Sequence, residues 1–384
     1  MDKKNKMSAR VNSREIFRET LLFKKLDKVP FDPGRPREST LATWHEQGLP
    51  EGINYYEALL NILGIKERPK LRRVFCSDSF KMIPTFEEKV LEHKDGHYIV
   101  QDWMGAITEI SDKYDYTYIR YAKDFVTRRW LKFPVQSYSD WEKMKKRYDP
   151  NAPGRYPQDF EEQCRLLENR DYPVGVHFNG PFWQLREWLG MENLCMSMIT
   201  DPDWVEEMID FWTDFVSKTM MPILDKVELD YVEISEDMAY KAHSMISPKM
   251  ARKFLLPAYK HWIRLIKDSG CPIVVLDSDG YIGELLPIWV EAGINCCRPV
   301  EVAAGNDIIK YRETYGSSMA YMQGIDKRAI AKGGRVMEEE VMRVSSLLEE
   351  GGYIPGCDHG VPPDISWSNF IEYSRLLAEL TGWI

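Results

Sequence analysis

From residue 165 onward the chain alternates short apolar runs with amphipathic stretches long enough to be helices, and this rhythm limits its fold more than any other feature. "YPVGVHFNGP", "LDYVEISEDM" and "CPIVVLDSDG" read as strands that end in polar loops, and "INCCRPVE", "SMAYMQGID" and "GGYIPGCDH" are shorter runs of the same kind. Between them lie helical segments. "DPDWVEEMIDFWTDFVSKTMMPILDKV" has Asp201 or Asp203 as its N-cap, and "SPKMARKFLLPAYKHWIRLIKDSG" and "YIGELLPIWVEAG" follow. Strands that take turns with helices build a parallel sheet. The expected fold is α/β, a TIM (β/α)8 barrel over residues 165–384, with its weaker strands unresolved by pattern alone. No Gly-x-Gly-x-x-Gly or P-loop is present, so nucleotide-binding open sheets lack their fingerprint.

Residues 1–164 follow a different rhythm and are expected to form an N-terminal α+β extension or cap. "NSREIFRETLLFKK" is helical in spacing, with Ser13 as N-cap, and a Pro/Gly-rich loop leads from it to a short helix ending near Gly48. "KVLEHKDGHYIVQDWMG" reads as a hairpin turning at Asp95-Gly96, and "EISDKYDYTYIRYAKDFVTRRWLKFPV" continues the strands. "DPNAPGRYP" closes the region as a linker.

Composition narrows the function classes. Fifty-one basic and 60 acidic residues leave a net charge of −9, which argues against nucleic acid or an anionic membrane as partner. No run approaches the length of a membrane span, and the charged N-terminus has no apolar stretch behind it, so no secretory signal is expected. Seven cysteines without regular spacing do not form a disulfide framework and point to a reducing, cytoplasmic setting.

In parallel α/β barrels, chemistry sits at the C-terminal ends of the strands. The polar residues expected there are His177 and Asn179; Glu233, Glu236 and Asp237; Asp277 and Asp279; Glu301; Gln323 and Asp326; and Cys357, Asp358 and His359. So many carboxylates around one cavity repel one another unless they are protonated, hydrogen-bonded or bound to a cation, which is the physical case for a metal. Each residue also has a structural reading. His177 can brace a loop, Glu236 and Asp237 can cap a helix, and Asp277 and Asp279 can shape a turn. Cys357 can be a small buried hydrophobe, and Asp358 can accept backbone amides. Phe178, Phe182, Trp183 and Tyr240 lie beside this rim, where they either line a flat pocket or pack the fold.

Four stretches resemble the uroporphyrinogen decarboxylase superfamily: "GPFWQLREWLGMENL…DPDWVEEMIDF", "DYVEISEDMA…SPKMARKFLLPAYK", "GELLPIWVEAGINCCRPVEVAAGND" and "GGYIPGCDHGVPPD". A further echo lies in "RVNSREIFRETLLFKKLDKVPF". The resemblance implies a TIM barrel and one of two activities. The decarboxylase branch binds its porphyrin with an arginine-rich N-terminal motif. Here "VPFDPGRPREST" keeps Arg35 and Arg37 without reproducing that motif, which speaks against porphyrinogen decarboxylation. The methyltransferase branch holds zinc through a His-x-Cys-Gly strand end and a later Cys, with a Glu between them in methionine synthase. This chain has Asp277-x-Asp279-Gly280, Glu301 and Cys357 at the matching places.

The resemblance therefore implies a corrinoid-dependent methyltransferase of the O-demethylase type. It would move a methyl group from a small methylated, methoxylated substrate to a partner corrinoid protein, with a metal or general acid activating the leaving oxygen. The implied roles are Asp279, Glu301, Cys357 and His359 as ligands of Zn2+, and His177, Glu236, Asp277 and His359 in catalysis. Asn179, Trp183, Tyr240 and Gln323 are the implied substrate contacts. Cobalamin would be carried by the partner, and a homodimer is the superfamily's habit. Two alternatives stand beside this reading: a decarboxylase-like lyase or hydrolase acting on a carboxylated small molecule, and a non-catalytic ligand- or corrinoid-binding barrel.

Overall fold

The computed structural model describes residues 12–116 and 127–384. Its strands are β1 (Arg73–Val74), β2 (Lys89–Lys94), β3 (His97–Gln101), β4 (Ile107–Ser111), β5 (Arg128–Lys132), β6 (Val174–Asn179), β7 (Tyr231–Ser235), β8 (Ile273–Asp277), β9 (Cys296–Arg298), β10 (Ala320–Met322) and β11 (Tyr353–Ile354). β2 to β5 form a four-stranded antiparallel sheet, and the other seven form one parallel sheet in the order β1-β6-β7-β8-β9-β10-β11. Helices Pro181–Leu189 and Pro202–Leu224 connect β6 to β7, and Leu256–Asp268 and Leu286–Ala292 lie in the next two crossovers.

Period-2 patterning with both faces buried explains the parallel sheet. On β7, Val232 and Ile234 pack outward into the core shared with the helices, while Tyr231 faces inward. The same division recurs at Val274 and Leu276 against Ile273 and Val275, at Cys297 against Cys296, and at Tyr353 against Ile354. The inward residues of β7 through β11 share one apolar cluster with Phe17 and Leu21 of helix Ser13–Leu21. On a flat sheet, β7 and β11 would stand roughly 19 Å apart, so the sheet is curled around that cluster. Phe17 meets the Tyr231 ring at 5.6 Å.

The α/β class is as expected, but the strand count differs. Among the described residues seven strands form the sheet, and β1 comes from residues 73–74, well before residue 165. Beyond β11 the extended segment "PFDPGRP" (30–36) runs alongside through a single parallel bridge, Pro36 to Val361. Its three prolines have no amide to give, so it cannot form a full ladder.

Asp95 and Gly96 turn the β2–β3 hairpin with φ of 51° and 76°, as both positions of a type I′ turn require. Helix Ser13–Leu21 is capped by Asn12 rather than by Ser13, in a reciprocal box with Glu15. Part of the strand run expected after Ile110 falls on residues 117–126, outside the described residues.

Gly175 on β6 marks how closely the inner cluster is packed. A Cβ there would sit 2.4 Å from the Tyr231 carbonyl oxygen and 2.6 Å from its ring. Gly175→Ala is therefore expected to destabilise the fold by about 1–3 kcal/mol, as overpacking does. A denaturation midpoint unchanged from wild type would contradict this packing.

Candidate functional site

Above the apolar cluster the inner face of the sheet turns polar, and its centre is a buried carboxylate. Glu233, one pleat beyond Tyr231 on β7, forms an ion pair with Arg72, which immediately precedes β1. Arg298 at the end of β9 donates to both Glu233 oxygens, Nη2 to Oε1 at 3.0 Å and Nε to Oε2 at 3.2 Å. Burial disfavours the charge, but the two guanidiniums outweigh it and hold the Glu233 carboxyl well below the usual range. Arg298 Nη1 also donates to Gln323 Oε1 at 3.2 Å, and Gln323 Nε2 donates to the Cys357 carbonyl at 2.9 Å. Gln323 is thus a brace within this network.

The next layer out lies at the C-terminal ends of the strands, the mouth of the curled sheet. The register aligns Ser235, Asp277 and Arg298 across β7, β8 and β9. Ser235 Oγ donates to Asp277 Oδ2 at 3.1 Å, and His177 Nε2 lies 2.8 Å from the same hydroxyl. Because the serine proton goes to Asp277, His177 donates through Nε2–H. Burial lowers the His177 pKa and raises that of Asp277, whose charge Arg298 only partly supports from 3.7 Å.

The outer rim does not converge on a metal. His359 Nε2 lies 3.0 Å from Asp279 Oδ2, and its Nδ1 lies 3.1 Å from Arg37 Nη2, so both ring nitrogens are engaged. Arg37 can only donate, so Nδ1 accepts. Glu301 Oε1 takes the Lys327 ammonium at 2.6 Å, and its other oxygen accepts the Gly280 amide at 3.0 Å. Cys357 is fully buried in the core between sheet and helices, and burial pushes its thiol up to about 12, so it is not a thiolate. Among the described residues no group of three His, Cys, Asp or Glu side chains is placed to hold a metal ion. The expected ligand set does not fit zinc in this arrangement. The cations that balance the rim are the chain's own lysine and arginines.

Two expected site residues are structural. Glu236 follows Ser235 on the opposite face, where Trp183 N donates to it at 2.9 Å and Phe182 N at 3.5 Å, with a further short bond from the Tyr259 hydroxyl. It caps helix Pro181–Leu189, and a Cβ on Gly180 would sit 2.3 Å from its carboxyl carbon. Asp358 takes the backbone amides of Val302 at 2.9 Å and Lys327 at 3.1 Å, bracing the turn in "GCDH".

Beside the mouth, on the β6–β7 side, a cleft separates the four-stranded sheet from helix Pro181–Leu189. Trp183 and Tyr240, two of the expected substrate contacts, line it together with Trp130, Arg186, Glu187 and Asp237. Asn179 links cleft and mouth, its Nδ2 donating to Gln184 at 3.1 Å and Glu187 at 3.3 Å. Arg186 holds Asp237 through the backbone carbonyl (2.9 Å) and the carboxylate (3.2 Å). Asp237 itself is left-handed at φ 34°, a strained conformation of the kind that clusters at functional sites. The pattern-based reading missed Arg72, Ser235, Lys327, Trp130 and Glu187. Arg298 had a signal, because "CCRPVE" puts it two residues after the inward-facing Cys296. Arg72 in "PKLRRVF" had none.

A curled parallel sheet with its polar groups at the strand C-termini defines a barrel-related α/β protein with an enzyme-like mouth. The chain belongs to the uroporphyrinogen decarboxylase (URO-D) family, whose profile matches residues 129–377. A methylated-thiol–coenzyme M methyltransferase of Methanosarcina mazei is 27% identical over 218 residues, 54% of this chain and 53% of that protein. The chain thus spans about half the length of the curated relative it matches. A solved methyltransferase structure from Methanosarcina mazei shares the fold, with a TM-score of 0.56 and 14% identity over 96% of this chain and 98% of that one. The first of these fits the methyltransferase side of the resemblance, and the second shows the shared fold. No helix among the described residues is long and apolar enough to cross a membrane.

Removing Glu233 leaves two guanidiniums facing each other in a buried layer. Glu233→Ala is expected to cost about 3–5 kcal/mol, as breaking a buried ion pair does. Because the Glu233 pKa is depressed in the fold, its contribution is fully present above the unfolded value of about 4.3 and is lost as pH falls toward the folded value. Urea denaturation across pH 3–7 checks this. A variant within 1 kcal/mol of wild type at pH 7 would show that the clamp is not what holds the layer. Elemental analysis of the purified protein is expected to find well below one zinc per chain, with a melting temperature unmoved by chelator. One zinc per chain, lost in Glu301→Ala, would reverse the assignment of the rim.

Proposed function

We propose that the protein is a methyltransferase that moves a methyl group from a small methoxylated substrate to a partner corrinoid protein. Family membership and the methyltransferase relative support the reaction class, on a fold shared with a solved methyltransferase. The observation that carries the finer reading is the line His177–Ser235–Asp277 at the mouth, a hydrogen-bonded path leading to the strand ends. An ether oxygen is a poor leaving group until it gains a proton, and positioned acid–base groups supply one. In the reduced state the corrinoid supplies the nucleophile that takes the methyl group. This chain's residues do the rest. Asp277, its carboxyl raised by burial, holds the proton for the leaving oxygen beside the mouth, while neutral His177 donates to Ser235 and Ser235 donates to Asp277, which fixes that carboxyl. Arg298 and Arg72 fix Glu233, so that its charge does not compete for that proton.

The fold is read here as a (β/α)8 barrel closed by segment 30–36 in the eighth place, with β2–β5 as part of an N-terminal cap. Pro36 bridges Val361 on the β11 side, and Asp32 and Arg72, from the two sides of the gap, line one cavity. All seven cysteines are free, which supports a reducing, cytoplasmic setting. A second reading, a lyase acting on a carboxylated substrate, draws on the arginines near the mouth. Arg72 and Arg298 are already matched by Glu233, which favours the first.

The test is to mix the full chain with methoxylated donors and a reduced corrinoid protein and to follow the loss of the reduced corrinoid's absorbance. Turnover is expected in wild type and is expected to fall roughly a hundredfold or more in Asp277→Asn and His177→Gln. Full activity in both variants would remove the proton line. Release of carbon dioxide from a carboxylated substrate, without methyl transfer, would favour the lyase.

A further inference from the structure

Among the described residues, the eighth place of the ring is fastened on one side only. Segment 30–36 makes its hydrogen bonds to the C-terminal part of the chain and to helix Tyr55–Ile62. Val361 N donates to the Arg35 carbonyl at 2.9 Å, and just before the segment Val29 N donates to the Thr381 carbonyl at 3.1 Å. Trp383 Nε1 donates to the Val29 carbonyl at 2.8 Å. The Phe31 and Gly34 carbonyls, which a neighbouring strand would use, accept the Tyr56 and Tyr55 hydroxyls at 2.9 and 3.1 Å. β1 is likewise turned away. The Arg73 and Phe75 amides donate to Pro173 and Gly175 on the β6 side, both at 2.8 Å, and the Arg73 carbonyl accepts the Tyr231 hydroxyl at 3.0 Å. No backbone hydrogen bond crosses from β1 to segment 30–36 among the described residues. A cavity of about 30 Å³ lies between them, lined by Phe31 and Asp32 from one side and by Leu71 and Arg72 from the other.

What crosses the joint is charge. Arg72 and Arg298 share one carboxylate, Glu233, which leaves their layer one positive charge in surplus. Asp32, half-buried, is the carboxylate that meets this surplus from the eighth place, while Lys70 in the same cavity is spent on Asp171 at 2.6 Å. Burial opposes the Arg298 charge, and Asp277, Glu233 and Asp32 together sustain it. Charges attract over several ångströms without fixed geometry, whereas a strand ladder needs each bond aligned. Such a joint can part without breaking a strand. We propose that the barrel is a split ring with a charge clasp: segment 30–36 moves with helix Trp367–Leu380, β1 moves with β6, and Asp32 against the two guanidiniums holds the joint shut. The clasp lies one layer below the mouth, so its opening widens the mouth while every strand stays folded. Arg37, next after the segment, stays bonded to His359 at 3.1 Å, which keeps the β11 side of the rim in order. The inference concerns how the mouth opens and stands apart from the reaction assigned to it.

Met322 reports on the joint, because it lines the same cavity and is buried when the ring is closed. The experiment oxidises the full chain with dilute hydrogen peroxide, at low salt and in sodium chloride near 1 M, and follows each methionine sulfoxide by mass spectrometry. Met322 is expected to react roughly tenfold faster than Met220, which is buried in the core between sheet and helices. High salt is expected to speed Met322 by roughly threefold, since it screens a half-buried charge, and to leave Met220 unchanged. Asp32→Asn is expected to show the high-salt rate at low salt and to lose the salt response, whereas Asp32→Glu keeps both behaviours. Melting temperatures check that the variants fold, and the wild-type salt series decides alone if Asp32→Asn does not. Met322 oxidation as slow as that of Met220, or a rate indifferent to salt and to Asp32→Asn, would overturn the proposal.

Discussion

One carboxylate between two guanidiniums organises the inner face of this protein. Arg72 precedes β1, Glu233 sits on β7 and Arg298 ends β9, so a single cluster fixes the distance between an edge of the sheet and its middle. Arg298 then extends the network through Gln323 to the Cys357 carbonyl, which brings in the ends of β10 and β11. Beneath the cluster lies a dry floor of Tyr231, Val275, Cys296 and Ile354. In such surroundings a charge is costly alone and strongly held when matched, so the layer is stable only in its complete form. The curl of the sheet and the order of its mouth both depend on that match.

The same accounting of charge explains the rim. An acidic set of strand ends called for cations, and a bound metal was the economical answer from sequence. The structure answers instead with Lys327 on Glu301, Arg298 beside Asp277 and Arg186 on Asp237. None of these pairs is local in sequence, which is why no spacing disclosed them. Where a cation was needed could be read from the carboxylates. Which cation would serve depended on tertiary contacts.

Much of the architecture was legible because burial leaves a period. Inward and outward residues alternate along β7 and β8, and their helices carry apolar faces, so the parallel sheet followed from the pattern. The hairpin was legible from Asp95-Gly96 for an equally local reason. β1 escaped because two residues hold no period, and it enters the sheet through pairing with Val174 and Gly175, a hundred residues away. Segment 30–36 escaped because its prolines do not resemble a strand. Asp277 and His177 were placed toward the strand ends by the pattern, and they lie there. Glu236 stood one residue beyond Ser235, and that single step moved it to the other face of the sheet.

Glu236 and Glu187 show why position decides function here more than acidity does. Burial raises both carboxyls to about 7, so by titration alone they are the same group. Glu236 spends its oxygens on the Trp183 and Phe182 amides and the Tyr259 hydroxyl, sealed at 0% exposure between helix and sheet. Its job is to close the end of the helix. Glu187 stands one turn further along that helix, half-buried, with the Trp183 indole on one oxygen and a cleft before it. The two are joined through Trp183, whose backbone amide serves the first and whose ring serves the second. Glu236 therefore sets the helix end from which Trp183 reaches Glu187. A change at the sealed acid would be felt at the half-buried one as lost orientation rather than as lost charge.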